Sequence, residues 1–153
     1  MACLKGQGVD HLQLARVALS TLCTLQGVAT LAIHCNRSHA TSPLWPGHAR
    51  YHVVWQSATV ALVSIVELSL IWSRGVWHHD GFYLASLLAA TSPLGFMAAF
   101  LSRSAYDGTL FDPNGSPPVR LMILGQVRSI DMNFVVVATA LIAVVGIDLL
   151  FHW

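Results

Sequence analysis

Histidine is the residue type with which this sequence can do the most chemistry. The chain has eight histidines beside only eight Lys and Arg residues and seven Asp and Glu residues. Imidazole is the commonest metal ligand in proteins, and it gains or loses a proton near neutral pH. The positions of the histidines therefore indicate where a metal or proton-transfer site would lie.

Four histidines fall close together in the sequence, at His34, His39, His48 and His52. The last two belong to the segment H-A-R-Y-H, and an i, i+4 spacing on a helix places both rings on one face. Imidazole-rich sites suit zinc, copper or iron. We therefore predict that these four residues bind a transition metal or haem. Asp107, Asp112 and Asp131 are available as further ligands.

The histidines also have two simpler interpretations. They can lie at the membrane interface, where their rings bond loop carbonyls and lipid headgroups, or they can carry protons without a metal. The sequence leaves these alternatives open.

Glu67 and Asp148 are the acidic residues that lie well inside long apolar stretches. Ionisable groups inside a bilayer are costly and usually mark a functional site or a pairing. Since desolvation disfavours the charged carboxylate, we expect each acid to be protonated or hydrogen-bonded, as a proton-transferring group must be. They are the predicted catalytic pair of a cofactor-free reaction. Alternatively, they bond to each other or to a neighbouring helix and hold the bundle together.

The acids and the four histidines are predicted to form separate sites. Glu67 follows His52 by fifteen residues, which is about 22 Å along a helix. Such dispersion also argues against a di-iron hydroxylase, whose histidine motifs gather on one side of the membrane. The remaining ionisable residues near the acids are His11, His78, His79, Asp80 and His152.

Composition places the chain in a membrane. Its 153 residues are 55% hydrophobic and only 10% charged, whereas soluble domains carry about 25% charged residues. The formal net charge of +1 gives no electrostatic footprint for nucleic acid. Cys3, Cys23 and Cys35 form no C-x-x-C pair, so a disulfide framework is not expected.

Four segments reach the roughly 20 apolar residues that a transmembrane helix needs. They cover residues 12–34, 52–72, 82–101 and 132–151. We predict an all-α fold, an integral membrane four-helix bundle with antiparallel up-down topology, in which residues 1–153 form a single domain. The loops 35–51 and 102–131 then share one side of the membrane, and the 73–81 loop shares the other side with the termini.

Small residues and one proline indicate how the third span packs. Ala85 and Ala89 are four residues apart, as are Gly95 and Ala99, and such spacing lets helices approach closely in lipid. Pro93 should kink this helix.

Three further residues and one short segment carry specific expectations. Pro46 predicts that the second helix begins near Gly47. Arg16 should extend its charge to the membrane interface. Trp55 lies one turn inside the second helix and is expected to line a pocket. The segment L-M-I-L-G-Q at 121–126 is expected to lie along the interface.

The sequence shows two resemblances to known families. Residues 42–52, S-P-L-W-P-G-H-A-R-Y-H, resemble the N-P-x-W-P-x-H-A-R-F-H segment of a group of small uncharacterised membrane proteins of bacteria and fungi, with departures at Ser42 and Tyr51. That resemblance implies no activity. The helix count, Glu67 and Asp148 are also similar to the emopamil-binding family of sterol isomerases, which implies a compact bundle with acids over a lipid-sized pocket. A shared architecture does not by itself imply a shared function.

Three functions remain open at this stage. The first is a histidine-rich metal or haem protein at one membrane face that acts on a lipophilic substrate. The second is a cofactor-free lipid or sterol-type isomerase, or a lipid binder. The third is a non-catalytic accessory subunit of a larger membrane complex. The corresponding partners are membrane lipids, a hydrophobic small molecule, and a larger membrane protein or a second copy of the chain.

Overall fold

The computed structural model describes residues 10–111 and 118–153, and four long helices dominate it. They are α1 (His11–His34), α2 (Gly47–Ile71), α3 (Asp80–Ser102) and α4 (Met132–His152). All four are long and apolar enough to cross a membrane. The predicted all-α four-helix membrane bundle is confirmed, and the chain is a multi-pass integral membrane protein.

The residue directly before each of α1, α2 and α4 explains why the helix begins where it does. Asp10 caps α1 by accepting from the Leu12 amide at 3.1 Å. Asp131 caps α4 by accepting from the Asn133 and Phe134 amides at 2.9 and 3.1 Å, so this predicted extra ligand has a capping role. Pro46 directly precedes α2, which begins at Gly47 as predicted. His48 and His52 therefore lie on the first turns of α2.

The four helices pack so that α2 and α4 lie diagonally across the bundle. α1 packs against α2 and α4, and α3 packs against the same two helices. In the contact between α1 and α2, Gly27 lies so close to α2 that a Cβ atom there would be 2.9 Å from the Ser64 Oγ. Small residues thus allow the close approach that helix pairs in lipid favour.

The α3–α4 contact is aromatic at both ends. Phe82 stacks on Phe151 with ring centroids 3.7 Å apart, and Phe100 lies 5.2 Å from Phe134. Ala85 and Ala89 are fully buried in the core, as predicted.

The other predicted small-residue pair does not pack against a helix. Gly95 and Ala99 are exposed, and a Cβ atom at Gly95 would meet no atom of the described residues within 4 Å. Spacing alone identified the pair, but this face of α3 is turned away from its neighbours. That prediction was wrong.

The side chain of Arg16 is buried at the end of the bundle where α2 terminates. Only 6% of it is exposed. Its Nη1 donates to the Ile71 carbonyl at 2.7 Å and its Nη2 to the His78 carbonyl at 2.8 Å. The guanidinium thereby satisfies a carbonyl at the carboxyl end of α2, which helix geometry leaves without a partner.

The segment expected to lie along the interface forms part of a β-hairpin in the long loop. Strand β1 (Val119–Ile123) pairs antiparallel with β2 (Gln126–Ile130). Leu124 and Gly125 form the turn, with φ angles of 50° and 78°. Two successive residues with positive φ suit the two-residue turns that follow the twist of a hairpin. β2 ends one residue before the Asp131 cap, so the hairpin leads directly into α4.

Candidate functional site

A groove of about 480 Å³ runs along α2, between α2 and α3. The α2 residues that line it recur every three or four positions, as one face of a helix does. These residues are His52, Trp55, Gln56, Thr59, Val60, Val63, Ser64 and Glu67. α3 contributes Leu88, Ala89, Thr91 and Ser92, and α1 contributes Gln26. The prediction that Trp55 lines a pocket is confirmed.

Three of the hydroxyl groups that line the groove are bonded within their own helices. Thr59 donates to the Trp55 carbonyl at 3.0 Å, Ser64 to the Val60 carbonyl at 3.0 Å, and Thr91 to the Leu88 carbonyl at 2.6 Å. These three donors are therefore occupied within the helices. The rest of the lining is mixed, since Val60, Val63 and Leu88 are apolar whereas Gln56 and Ser92 are polar.

Glu67 supplies the strongest polar group of the groove. Its side chain is only 2% exposed, and within the described residues its Oε2 has no hydrogen-bond partner. The thiol of Cys23 on α1 interacts with the same carboxyl group. A buried oxygen without a partner carries an uncompensated desolvation penalty, which a ligand with a donor group would relieve.

Gln26 and Pro93 fix the backbone where α3 borders the groove. Pro93 has no N–H, so the Ala89 carbonyl one turn earlier lacks its helical partner. The Nε2 of Gln26 donates to this carbonyl at 3.0 Å. A side chain of α1 therefore completes the hydrogen bonding of α3 inside the bundle.

The four predicted histidine ligands lie as two pairs. His48 and His52 share a hydrogen bond between their Nε2 atoms at 3.0 Å, and the rings of His34 and His39 are 5.1 Å apart. The Nδ1 of His34 donates to the Thr30 carbonyl at 2.9 Å. Across residues 10–111 and 118–153, no three His, Cys, Asp or Glu side chains approach closely enough to hold one metal ion.

Of the predicted additional ligands, Asp107 is exposed, with a φ of 53°. Asp112 lies outside the described residues.

Asp148 lies away from the groove. It lines a shallow depression on α3 and α4 with Tyr83, Val145, Leu149 and His152. In the described part of the chain, its buried Oδ1 has no hydrogen-bond partner. Glu67 and Asp148 are thus on diagonal helices and in different cavities. The structure does not bring the predicted acid pair together.

The short segment between α2 and α3 holds two more histidines. His79 packs its ring 5.5 Å from Phe151, and the His78 carbonyl accepts from Arg16. The positive charge of Arg16, followed by desolvation and the neighbouring His79, lowers the pKa of His78 below its usual value of 6.5. Arg16 connects this segment to the end of α2, because its guanidinium donates to the carbonyls of both Ile71 and His78.

His52 and Glu67 both line the groove between α2 and α3, although the sequence predicts separate sites for them. The sequence-based predictions also missed Gln26, Gln56 and Ser92. A detectable signal was the polar series Gln56, Thr59 and Glu67, which recurs at helical spacing along an otherwise apolar span.

The comparisons with known proteins add no further constraint. No protein-family model matches the chain, and no curated protein or solved structure shows significant similarity to it.

Proposed function

We propose that this integral membrane protein binds a lipophilic small molecule in the groove between α2 and α3, with Glu67 as its polar anchor. The observation that carries the proposal is the buried Oε2 of Glu67, which has no hydrogen-bond partner among the described residues and borders a mostly apolar cavity. Ligand sites are typically mostly apolar clefts of about 300–1,000 Å³ with a few polar groups that fix orientation. The groove has this size and this chemistry.

Binding is favoured over two-carboxylate catalysis for a geometric reason. An acid–base pair must reach the same substrate, and Asp148 lines a different cavity from Glu67. A sterol-type isomerase that uses both acids therefore has less support than a binder, or an enzyme that uses Glu67 alone.

The test is saturable binding of tritiated hexadecanol or tritiated cholesterol by the purified protein. Val63→Trp fills the groove and should abolish binding of whichever probe the groove accepts. Leu62→Trp is the matched control, since the neighbouring Leu62 is 65% exposed on the outer surface of α2. Equal binding by both variants, or no binding of either probe by the wild type, would show that the groove is not a ligand site.

Substitution of the acids gives a second readout. Glu67→Leu should weaken binding, whereas Glu67→Gln keeps an acceptor oxygen and should retain most of it. Asp148→Asn should leave binding unchanged, because Asp148 does not line the groove. A larger loss in Asp148→Asn than in Glu67→Leu would contradict the role given to Glu67.

A metal site at His48 and His52 is a second candidate, supported by one distance. Two imidazoles that bind one tetrahedral zinc at about 2.0–2.1 Å have nitrogens roughly 3.3 Å apart, and here the Nε2 atoms are 3.0 Å apart. The pair converges on one point, which suits a small ion better than haem. Water or a substrate would complete the coordination shell.

The metal candidate is tested by zinc titration of the purified protein. His48→Ala and His52→Ala should each abolish stoichiometric binding, while His152→Ala, at the end of α4, serves as the control. Zinc binding that survives both substitutions would exclude the pair as the site.

A further inference from the structure

The β-hairpin of the long loop exposes apolar side chains around its turn. We infer that this turn inserts into the lipid leaflet next to it, and that the two arginines of the hairpin bind the phosphate groups of anionic phospholipids. The sequence predicts only that residues 121–126 lie along the interface. The hairpin adds an inserted turn and a class of lipid, and the inference does not depend on the groove or on its proposed ligand.

The first observation is the exposure of the hairpin. Met122, Leu124 and Val127 are 78%, 98% and 66% exposed, and the main packing partner of each strand is the other strand. A two-stranded hairpin alone is marginally stable in water, and its exposed apolar side chains favour transfer to an apolar environment. A covering surface is therefore expected around the turn.

The second observation is that the apolar side chains lie on both faces of the hairpin. Cross-strand partners share a face, and successive residues of a strand alternate between faces. Met122 pairs with Val127 on one face, while Leu121 is exposed on the other. A protein partner would cover one face or one edge, whereas lipid surrounds an inserted turn on all sides. This distribution favours lipid over a second copy of the chain.

The third observation is the position of the two arginines behind the turn. Arg120 lies two residues before Met122 and therefore on the same face. Arg128 pairs with Leu121 on the other face. At about 3.3 Å per residue, both are roughly 10–13 Å from Leu124 along the strands. The polarity of the hairpin thus changes along its length, from an apolar turn to a cationic middle, as polarity changes across a membrane surface.

The position of the hairpin limits how deep the turn can lie. β2 ends at Ile130, and Asp131 caps the membrane-spanning α4, so the hairpin begins at the membrane surface. The headgroup region is about 5–8 Å thick on each side of the hydrocarbon. With the guanidinium groups at the phosphates, a turn roughly 10 Å deeper reaches the outer ends of the acyl chains. Deeper insertion is disfavoured, because the outer edges of the two strands carry unpaired backbone groups.

The class of lipid follows from the charge of the hairpin. It contains two arginines and no Asp or Glu, and guanidinium groups bind phosphate through paired N–H donors. One nitrogen of Arg128 donates to the Gln126 side-chain oxygen at 2.6 Å. Since a guanidinium has five N–H donors, others remain for a phosphate. Phosphatidylglycerol, whose phosphate has no adjacent cation, should therefore hold the hairpin more strongly than phosphatidylcholine.

The experiment measures the depth of the turn in the full-length protein, reconstituted in lipid nanodiscs. Leu124→Cys carries an NBD fluorophore at the turn. Ser129→Cys is the matched control, because Ser129 pairs with Arg120 and lies at the level of the cations. Both variants also carry Cys3→Ser and Cys35→Ser, and the remaining native cysteine is buried.

The quenching pattern tests insertion. In nanodiscs with about 30 mol% phosphatidylglycerol, nitroxide groups on the acyl chains should quench the label at Leu124 more than the label at Ser129, and aqueous iodide should do the opposite. Equal iodide quenching at both positions would place the turn in water and overturn the inference. Protection of Leu124 from both quenchers would indicate that a second copy or another protein covers the turn, and would overturn lipid as the partner.

The lipid composition tests the role of the arginines. Replacing phosphatidylglycerol with phosphatidylcholine should reduce acyl-chain quenching at Leu124. When Arg120→Gln and Arg128→Gln are combined with the labelled Leu124→Cys, this quenching should be low in both lipids. Equal quenching in the two lipids while both arginines are present would overturn the binding of anionic phosphates.

Discussion

Gln26 of α1 supplies the hydrogen bond that Pro93 of α3 cannot make. The proline leaves the Ala89 carbonyl without a helical donor, and the Gln26 amide reaches that oxygen at 3.0 Å. Both Gln26 and Ala89 line the groove. Pro93 and Gln26 therefore act together on the hydrogen bonding of one wall of the site.

This relationship predicts a strong coupling between the two positions. Gln26→Leu should destabilise the protein by about 1–3 kcal/mol, because it leaves a buried carbonyl unsatisfied. In a Pro93→Ala background the restored N–H can bond Ala89, so the same substitution should cost much less. Thermal unfolding of the four proteins in detergent, arranged as a double-mutant cycle, measures the coupling. Additive effects would mean that Gln26 does not substitute for the missing amide.

Replacing either of two glycines by alanine should change the stability of the protein in opposite directions, because their surroundings differ. A Cβ atom at Gly27 would meet the Ser64 Oγ at 2.9 Å, whereas one at Gly146 would meet nothing within 4 Å. Gly27→Ala should therefore destabilise the α1–α2 contact by about 1–3 kcal/mol. Gly146→Ala should be neutral or stabilise α4 by up to about 1 kcal/mol. Thermal stability in detergent checks both, and a stabilising Gly27→Ala would contradict the close packing.

The charge of Arg16 should control the titration of His78. The guanidinium lowers the pKa of His78 below 6.5, so the folded protein binds fewer protons there than the unfolded chain. Stability should then fall as the pH drops from about 6.5 toward the lowered pKa of His78, because proton uptake favours unfolding. Arg16→Met should raise the pKa of His78, and Arg16→Lys should keep it low. NMR titration of the His78 ring measures its pKa in each variant. An identical pKa in Arg16→Met and Arg16→Lys would exclude a charge effect.

Membrane topology can be tested with one native cysteine and one introduced cysteine. Cys35 is exposed at the end of α1, and Val76, between α2 and α3, is 90% exposed. Antiparallel spans place these positions on opposite sides of the membrane. In a Cys3→Ser background, an impermeant maleimide should label Cys35 from one side. In the additional Cys35→Ser variant, it should label Val76→Cys only from the other side. Labelling of both positions from the same side would overturn the topology.

The fold was predictable because the features that indicate it, long apolar stretches and residues typical of helix starts, are each contained in a short stretch of sequence. Length and hydropathy identify spans, and Pro46 marks the start of α2 at Gly47. The orientation of each helix about its axis was not predictable in the same way. Ala85 and Gly95 both belong to small-residue pairs, but only the first faces a neighbouring helix. Which side of a helix is turned toward its neighbours depends on the packing of the whole bundle, and the sequence of one span does not determine that packing.

The site was predictable in part for a similar reason. Glu67 and Trp55 stood out because their residue types are unusual at their positions, and both line the groove. Gln26 gave no such signal, since its importance comes from Pro93, 67 residues later in the sequence. Asp148 and Glu67 were predicted to act as a pair because both are acidic residues inside apolar spans and lie at similar depth, but the two helices that carry them are diagonal. Depth in the membrane does not specify which residues share a cavity.

The buried position of Arg16 also bears on how the protein is assembled in the membrane. Its two acceptors, the carbonyls of Ile71 and His78, lie 55 and 62 residues later in the chain. While α1 emerges alone, the guanidinium has neither partner, and a cation in hydrocarbon is costly. We expect nascent α1 to hold Arg16 at the lipid headgroups and to settle into its final depth only after α2 and the turn beyond it have been inserted. The first helix to be synthesised thus reaches its final position only after the second helix and the turn that follows it.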